Sequence, residues 1–218
     1  MDAASISAKV LGEIREAGGK GASSISRARA AESHRVCDQG DLIPKAQSYD
    51  QEALSQIYET YYPKVYSFAY VRLNNAAEAE DVASYVMLQV LESIHRYQHR
   101  GFPFSAWVFR IARNHVIDLY RRRSRRPEVE LPDGLVSDAP APEEIAEWSA
   151  ERNQLWRALA QIGEDQRQVI MLRFIHGLEI FAVAKVMERS EAAVKSLQHR
   201  GLVALKRILD DDEVSCSG

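Results

Sequence analysis

The feature that most constrains this chain is the segment over residues 104–126, FSAWVFRIARNHVIDLYRRRSRR. Its apolar residues recur every three or four positions, which is the repeat of an α-helix that buries one face. These residues are Trp107, Val108, Ile111, Ala112, Val116 and Leu119. The segment therefore predicts a single helix whose apolar face is buried and whose end is crowded with arginines.

Positive charge is concentrated in this region of an otherwise acidic chain. Residues 96–126 hold nine arginines and one acid, Asp118, although the 218 residues together carry a formal net charge of −3. Such a cluster can be an ordinary solvated helix end, but those surfaces usually mix both signs. Charge of a single sign is typical of phosphate binding, and we interpret the region as a nucleic-acid contact.

The composition predicts a globular protein and argues against other classes. Hydrophobic residues make up 46% and charged residues 27% of the chain, which is a balance typical of folded domains. No apolar run reaches the ~18 residues of a membrane helix, and the N-terminus lacks the pattern of a secretory signal, so we expect a cytoplasmic protein without a membrane contact. Cys37 and Cys216 form neither a disulfide framework nor a zinc motif, and we expect no cofactor and no metal.

The first half of the chain divides into an irregular start and three helices. Residues 1–48 are rich in Ala, Ser and Gly without sustained apolar periodicity, and we expect a disordered extension there. An apolar stripe follows and is interrupted by Pro63, which we expect to kink or break the helix. A second helix is predicted over residues 76–97 and a loop over residues 98–103, before the basic helix. The predicted buried residues of the second helix are Val82, Val86, Val90, Leu91 and Ile94.

The second half of the chain begins with an acidic stretch. Residues 127–151 include four prolines and eight acids but no basic residue. We interpret residues 127–146 as a flexible linker, long enough for two domains to contact DNA about two helical turns apart. Helical periodicity returns over residues 147–210, before an acidic tail over residues 211–218. The helices predicted here cover residues 148–162, 164–176, 178–187 and 191–209. The fold class is therefore all-α, with two small helical domains, 49–126 and 147–210, joined by the linker.

The last two predicted helices have the length and apolar pattern of a helix-turn-helix. Gly177 fits the end of the preceding helix, and Ser190 has the chemistry of an N-cap for the last helix. A generic helical hairpin is the alternative, because the turn lacks the glycine often found there. In a helix-turn-helix, the polar side chains of the last helix form an outward face that can enter a major groove. These side chains are Glu191, Lys195, Ser196, Gln198, His199 and Arg200.

Three motifs, in this order, resemble the extracytoplasmic-function (ECF) group of bacterial sigma factors over about residues 50–209. AEDVASYVMLQVLESIHRY resembles region 2.2 of that family, FSAWVFRIARNHVIDLYRRR resembles regions 2.3 to 2.4, and SEAAVKSLQHRGLVALKRIL resembles the recognition helix of region 4. By this resemblance the first domain is region 2 and the second is region 4. The resemblance implies a bacterial transcription initiation factor that binds core RNA polymerase and directs it to promoters.

The resemblance also implies polymerase contacts. In the family, region 2.2 binds the clamp of the largest polymerase subunit, and the flap of the second largest subunit is a further contact. The implied clamp contacts are Glu80, Asp81, Val82, Tyr85, Val86 and Gln89. The chain departs from the family at Ser84 and Tyr85, where a Gln-Glu pair is common. An anti-sigma factor is a further candidate partner.

Promoter DNA is the other implied partner. Region 2 would capture an unstacked base of the minus-ten element and hold phosphates nearby. The implied residues are Gln98, His99, Arg100, Gly101, Arg110, Arg113, Asn114, Arg121, Arg122, Arg123, Arg125 and Arg126. Trp107 is a candidate stacking platform, but its spacing with Ile111 favours the core.

Region 4 would read the minus-thirty-five element. The implied residues are Arg189, Ser190, Glu191, Ala192, Lys195, Ser196, His199 and Arg200. Three positions depart from the family pattern: Phe181 stands where a polar residue is usual, Glu188 where glycine is frequent, and Leu197 where arginine is.

Neither a Gly-rich phosphate loop, nor a metal-ligand cluster, nor a nucleophile with a base occurs at motif spacing, so we expect no enzyme. Two alternatives stay open. One is a polymerase-independent helix-turn-helix regulator, which would bind its site equally well without polymerase. The other is a sigma-mimicking protein that sequesters an anti-sigma partner, against which the arginine-rich segment argues because a mimic has no need of DNA contacts.

Overall fold

The computed structural model describes residues 41–124 and 150–215. These residues belong to two compact units, and every regular element in them is helical. The first unit contains α1 (Leu42–Gln47), α2 (Gln51–Leu73), α3 (Ala76–Ser93), a 3₁₀ turn (Ile94–Arg96) and α4 (Phe104–Ser124). The second contains α5 (Ala150–Gln161), α6 (Glu164–Ile170), a π-helical turn (Met171–Ile175), α7 (Ile180–Met187) and α8 (Glu191–Ser215). The predicted all-α fold with two helical domains is confirmed, whereas the predicted linker lies outside the described residues.

Helix α1 corrects the prediction that residues 1–48 are disordered. The side chain of Ala46 is completely buried, and the Gln47 side-chain amide donates to the carbonyls of Ile94 at 3.2 Å and Tyr97 at 2.7 Å. These contacts join residues far apart in sequence, and a helix of six residues is too short to show apolar periodicity. The prediction is therefore wrong for residues 41–48, and residues 1–40 lie outside the described part of the chain.

Helix α2 is continuous through Pro63, so the predicted break is wrong. Asp50 caps its start by accepting a hydrogen bond from the Ala53 amide at 2.9 Å. Pro63 removes the amide that would bond to the Glu59 carbonyl, and both residues lie on the solvent-exposed side of the helix. The buried side chains of Tyr61 and Val65 flank it, and their packing stabilises the helix across the proline.

The core of the first unit forms where α4 packs against α2 and α3. The Phe109 ring meets Phe68 edge-on at 5.6 Å, and Phe104 meets Tyr61 in the same way at 5.4 Å. The fully buried α4 residues are Phe104, Val108, Phe109, Ala112 and Val116. Of the predicted apolar face, Trp107, Ile111 and Leu119 are only half-buried, as is Leu91 of α3. The apolar side of α4 thus faces the core as far as Val116, and the arginine end of the helix lies beyond it.

The second unit departs from the predicted helices at two places. The segment predicted as one helix over 164–176 changes to a π-helical turn after Ile170. Gly177 then has a φ of 73°, as its predicted place at a helix end requires, and the Leu178 amide donates to the Leu172 carbonyl at 2.8 Å. Helix α8 continues to Ser215, past its predicted end and into the acidic tail.

We predict that Gln47→Ala destabilises the first unit by about 1–2 kcal/mol, because it removes two hydrogen bonds to carbonyls of the 3₁₀ turn that follows α3 and of the residue after it. Thermal unfolding of the full chain measures this. Gln51→Ala is the matched control, since Gln51 is exposed. Equal stability of the two variants would contradict the role that we assign to α1.

Candidate nucleic-acid interface

The arginine cluster lies at the C-terminal end of α4, where the negative end of the helix dipole favours cations. The side chains of Arg121, Arg122 and Arg123 are exposed there. Two turns and more before them, Arg110 and Arg113 are half-buried and Asn114 is exposed. Arg125 and Arg126 lie outside the described residues.

The three exposed arginines have different surroundings. Arg123 forms an ion pair with Glu78 at the start of α3, and Arg121 lies 3.7 Å from the Asp118 carboxylate on its own helix. Arg122 has neither an ion pair nor a hydrogen bond with the described residues, although its charge acts on His115. Arg122 is therefore the member of this trio whose guanidinium is available to a phosphate.

The loop before α4 combines exposed polar groups with an aromatic wall. Gln98, His99, Arg100 and Gly101 are all exposed. Gly101 has a φ of 76°, and a Cβ added to it would meet nothing within 4 Å, so its backbone geometry is what requires a glycine.

Behind this loop, three aromatic rings form a continuous group. The ring centroids of Tyr97 and Trp107 are 5.1 Å apart, and those of Phe104 and Trp107 are 5.3 Å apart. The Tyr97 hydroxyl donates to the Phe102 carbonyl at 3.4 Å, which ties the loop to the group. Trp107 itself is half-buried, so it is neither a pure core residue nor a freely exposed platform.

Helix α3 presents only part of the set implied for polymerase binding. Glu80, Asp81 and Tyr85 are exposed and Gln89 is half-buried. Val82 and Val86 are 0% exposed, so the expectation that they are surface contacts is corrected: they face the core and support the helix from inside.

Sequence reasoning missed one exposed apolar residue on this face. Leu88 is 52% exposed, and it lies three residues after Tyr85, on the same side of α3. Its signal in the sequence is an apolar residue outside the buried stripe. Exposed leucines are common, so this signal alone does not identify a contact.

Tyr85 also contacts the arginine-bearing helix. Its ring stacks on His115 of α4, with centroids 3.8 Å apart and planes 16° from parallel. Burial lowers the pKa of His115, and the positive charge of Arg122 lowers it further, against an opposite effect of Asp118. Tyr85, which departs from the family pattern, thus packs against His115 of α4.

In the second unit, α7 and α8 are joined by the turn of a helix-turn-helix. Glu188 ends α7 in the left-handed conformation with a φ of 54°. The Ser190 hydroxyl accepts a hydrogen bond from the Ala193 amide at 3.2 Å, which confirms the predicted N-cap. Gly201 allows α8 to lie close to α6, because a Cβ there would be 3.2 Å from Ile170.

The outer face of α8 contains most of the side chains implied for the minus-thirty-five element. The exposed members are Ser190, Glu191, Ala192, Lys195, Ser196, His199 and Arg200. Arg189 is exposed too, but its guanidinium pairs with Asp165 of α6 at 2.6 Å. Leu197 is buried, and Gln198, which the sequence pattern placed outward, is half-buried.

Within the described ranges, no group of three or more His, Cys, Asp or Glu side chains could hold a metal ion. None of the helices over residues 41–124 and 150–215 is long and apolar enough to cross a membrane.

Comparison with known proteins places this geometry in a family. The Sigma-70 region 2 family model matches residues 57–126, and the Sigma-70 region 4 model matches residues 152–205. The ECF RNA polymerase sigma factor BldN of Streptomyces coelicolor is 34% identical over 79% of this chain and 66% of its own length. The ECF RNA polymerase sigma factor SigX of Bacillus subtilis is 32% identical over 75% of this chain and 91% of its own length. The chain belongs to the ECF sigma factors of the sigma-70 family.

Solved structures agree on the fold. The sigma factor RpoE of Bartonella quintana, solved with the anti-sigma factor NepR, aligns with a TM-score of 0.60 at 22% identity, over 72% of this chain and 96% of its own. CnrH, solved with the cytosolic domain of CnrY, aligns with a TM-score of 0.58 at 24% identity, over 78% of this chain and 96% of its own. At these identities the likeness concerns the fold alone.

We predict that Glu188→Gly stabilises the second unit by about 0.5–1 kcal/mol, because glycine adopts a positive φ without the steric cost of a Cβ. Chemical denaturation of the full chain measures the gain. Glu188→Ala removes the same charge but keeps the Cβ, so it should show no such gain; an equal gain in both variants would instead identify the carboxylate as the cause.

We predict that the first unit loses stability as the pH falls below 6.5, the ordinary pKa of histidine. The lowered pKa of His115 means that the unfolded chain binds the proton more readily, so acid favours unfolding. His115→Phe keeps a flat ring against Tyr85 and cannot titrate, and its melting temperature should vary less with pH. Identical pH profiles for the two proteins would refute the prediction.

Proposed function

We propose that this chain binds core RNA polymerase and directs it to promoters, with its first unit at the minus-ten element and its second at the minus-thirty-five element. One observation supports the proposal most directly: the first unit has a helix that ends in exposed arginines, and the second unit has a helix with an exposed polar face. Both units match sigma-70 family regions in the expected order. We propose residues 49–126 and 147–210 as the extents of the two functional domains.

The mechanism that we propose separates positioning from melting. Helix α8 enters the major groove, where Lys195, Ser196 and His199 can meet base edges or phosphates. The first unit then holds the phosphates of the melting segment with Arg110, Arg113 and Arg122, and unstacked bases enter the loop before α4. Binding to the melted strand lowers the free energy of the open state, while polymerase supplies the chemistry; the chain itself contributes no catalytic group.

The polymerase contact that we propose is the outer face of α3. Its exposed members include apolar side chains and carboxylates, which correspond to the apolar centre and the polar rim of a protein interface. They are Glu80, Asp81, Tyr85 and Leu88, with Gln89 at the edge. By family membership we propose a cytoplasmic site of action in bacteria. We also propose an anti-sigma factor as a partner that could cover these surfaces, since RpoE was solved with the anti-sigma factor NepR and CnrH with the cytosolic domain of CnrY.

The proposal is tested by transcription in vitro from a library of random promoters with purified core polymerase. We expect transcription only with the chain present, from templates that share two sequence elements. Arg122→Ala should reduce open-complex formation at all promoters alike, since a phosphate contact is independent of sequence. Lys195→Ala and His199→Ala should change the preferred upstream element, because a side chain that reads a base edge contributes about 1–3 kcal/mol of discrimination between bases.

Two matched controls accompany these variants. Lys45→Ala removes an exposed cation from α1, and Arg207→Ala removes one from α8 beyond the proposed DNA face. Neither should alter transcription. Equal binding to the selected DNA without polymerase would favour a polymerase-independent regulator, and unaltered transcription by both sets of variants would contradict the proposed sites.

A further inference from the structure

We propose that Glu78 and Tyr120 are positioning residues for the arginine end of α4, and that Arg123 belongs to their network and is not a phosphate contact. We call these three residues, together with Arg72, the Tyr120 network. The inference rests on the proposed function of α4 in DNA binding. By this inference Arg123 is held by contacts within the unit, whereas Arg122 is available to DNA.

The first link of the network joins α4 to the end of α2. The Tyr120 hydroxyl donates to the backbone carbonyl of Arg72 at 2.5 Å. Arg72 lies in the last turn of α2, where carbonyls have no partner within the helix. Tyr120 therefore satisfies a backbone group that would otherwise need water, and the bond fixes the rotation of the last turns of α4.

The second link joins α4 to the start of α3. The Arg123 guanidinium pairs with the Glu78 carboxylate, and Glu78 is itself held in the first turn of α3, where its amide donates to the Asn75 side chain at 3.2 Å. An exposed ion pair alone contributes little to stability. Here the same guanidinium also lies 6.0 Å from the centroid of the Tyr120 ring, and the Arg72 guanidinium lies 5.5 Å from it, so cation–π contacts reinforce the pair.

The helical geometry then sets the direction of the remaining arginines. Residues three apart lie on one side of an α-helix, so Tyr120 and Arg123 both face the α2–α3 junction. Arg121 and Arg122 must project to other sides, and both are exposed. Fixing Tyr120 and Arg123 therefore also fixes the direction of Arg122, which is exposed on the side of α4 that carries His115 and has no ion pair or hydrogen bond with the described residues.

A competing account makes Glu78 an internal substitute for phosphate that DNA displaces from Arg123. The two accounts predict opposite results for Glu78→Gln. If Glu78 positions α4, the variant binds promoter DNA more weakly; if Glu78 competes with DNA, the variant binds it more tightly.

The experiment measures the affinity of polymerase loaded with the full chain for a forked promoter DNA, as a function of salt concentration. Each phosphate contact contributes about 0.7–0.9 to the slope of log affinity against log salt. Arg122→Ala should therefore lower the slope by that amount. Arg123→Ala and Glu78→Gln should keep the slope of the unaltered protein while lowering the affinity several-fold and the melting temperature by a few degrees. Tyr120→Phe keeps the ring and should lose less than Tyr120→Ala.

A charge exchange gives the sharpest comparison. The double variant Glu78→Arg with Arg123→Glu rebuilds the pair in reverse, so it should recover much of the melting temperature and affinity that each single variant loses. A slope for Arg123→Ala as low as that for Arg122→Ala, tighter binding by Glu78→Gln, or no recovery in the double variant would overturn the inference. If the unaltered protein failed to load on polymerase, the proposed function would fail, while the melting temperatures would still test the network.

Discussion

The packing of α4 against α2 and α3 is the interaction on which the rest of the first unit depends. Its buried aromatic residues fix the rotation of the helix, because rings such as Phe104 and Phe109 fit edge-on against Tyr61 and Phe68. Once that rotation is fixed, every polar residue of α4 has a defined direction. The buried face therefore determines where the positive charge lies, and the interface that we propose is a consequence of core packing.

The same relation between core and surface governs the second unit. Val194 and Leu197 are buried against the unit, and the exposed side chains of α8 occupy the remaining face. Gly201 has no side chain, so the backbone of α8 lies directly against the Ile170 side chain of α6. In both units the helix with the exposed polar face is fixed by the packing of its opposite, apolar face. A polar face that is fixed in this way suits binding to a rigid partner such as duplex DNA.

Helical periodicity was enough to predict the fold class and most of the long helices, because their buried positions repeat along the sequence. It failed where stability comes from contacts between distant segments. Helix α1 depends on bonds from Gln47 to carbonyls about fifty residues away, and α2 continues through Pro63 because packing on both sides outweighs the local cost. The π-helical turn after Ile170 likewise has no periodic signal that distinguishes it from an α-helix.

For the candidate site, the sequence was enough to predict the helices and helix ends that carry the side chains, but not the contacts of each side chain. A sequence motif covers every face of a helix, so the resemblance implies Val82 and Val86 as contacts together with the surface residues of α3. A side chain that is buried in the core cannot also contact a partner protein. Arg123 pairs with Glu78, and Tyr85 stacks on His115. Each contact joins two different helices, and the sequence alone does not indicate which residues of two helices lie opposite each other. Consecutive arginines therefore have different surroundings, which only the fold reveals.

The most direct test of the account is the reactivity of promoter thymines to permanganate, which modifies them when they are unstacked. We expect reactive thymines in the minus-ten element only when core polymerase and this chain are both present, with the duplex unreactive when either is left out. Reactivity with polymerase alone, or none with both together at a promoter that the complex binds, would contradict the claim that the first unit captures the melted strand.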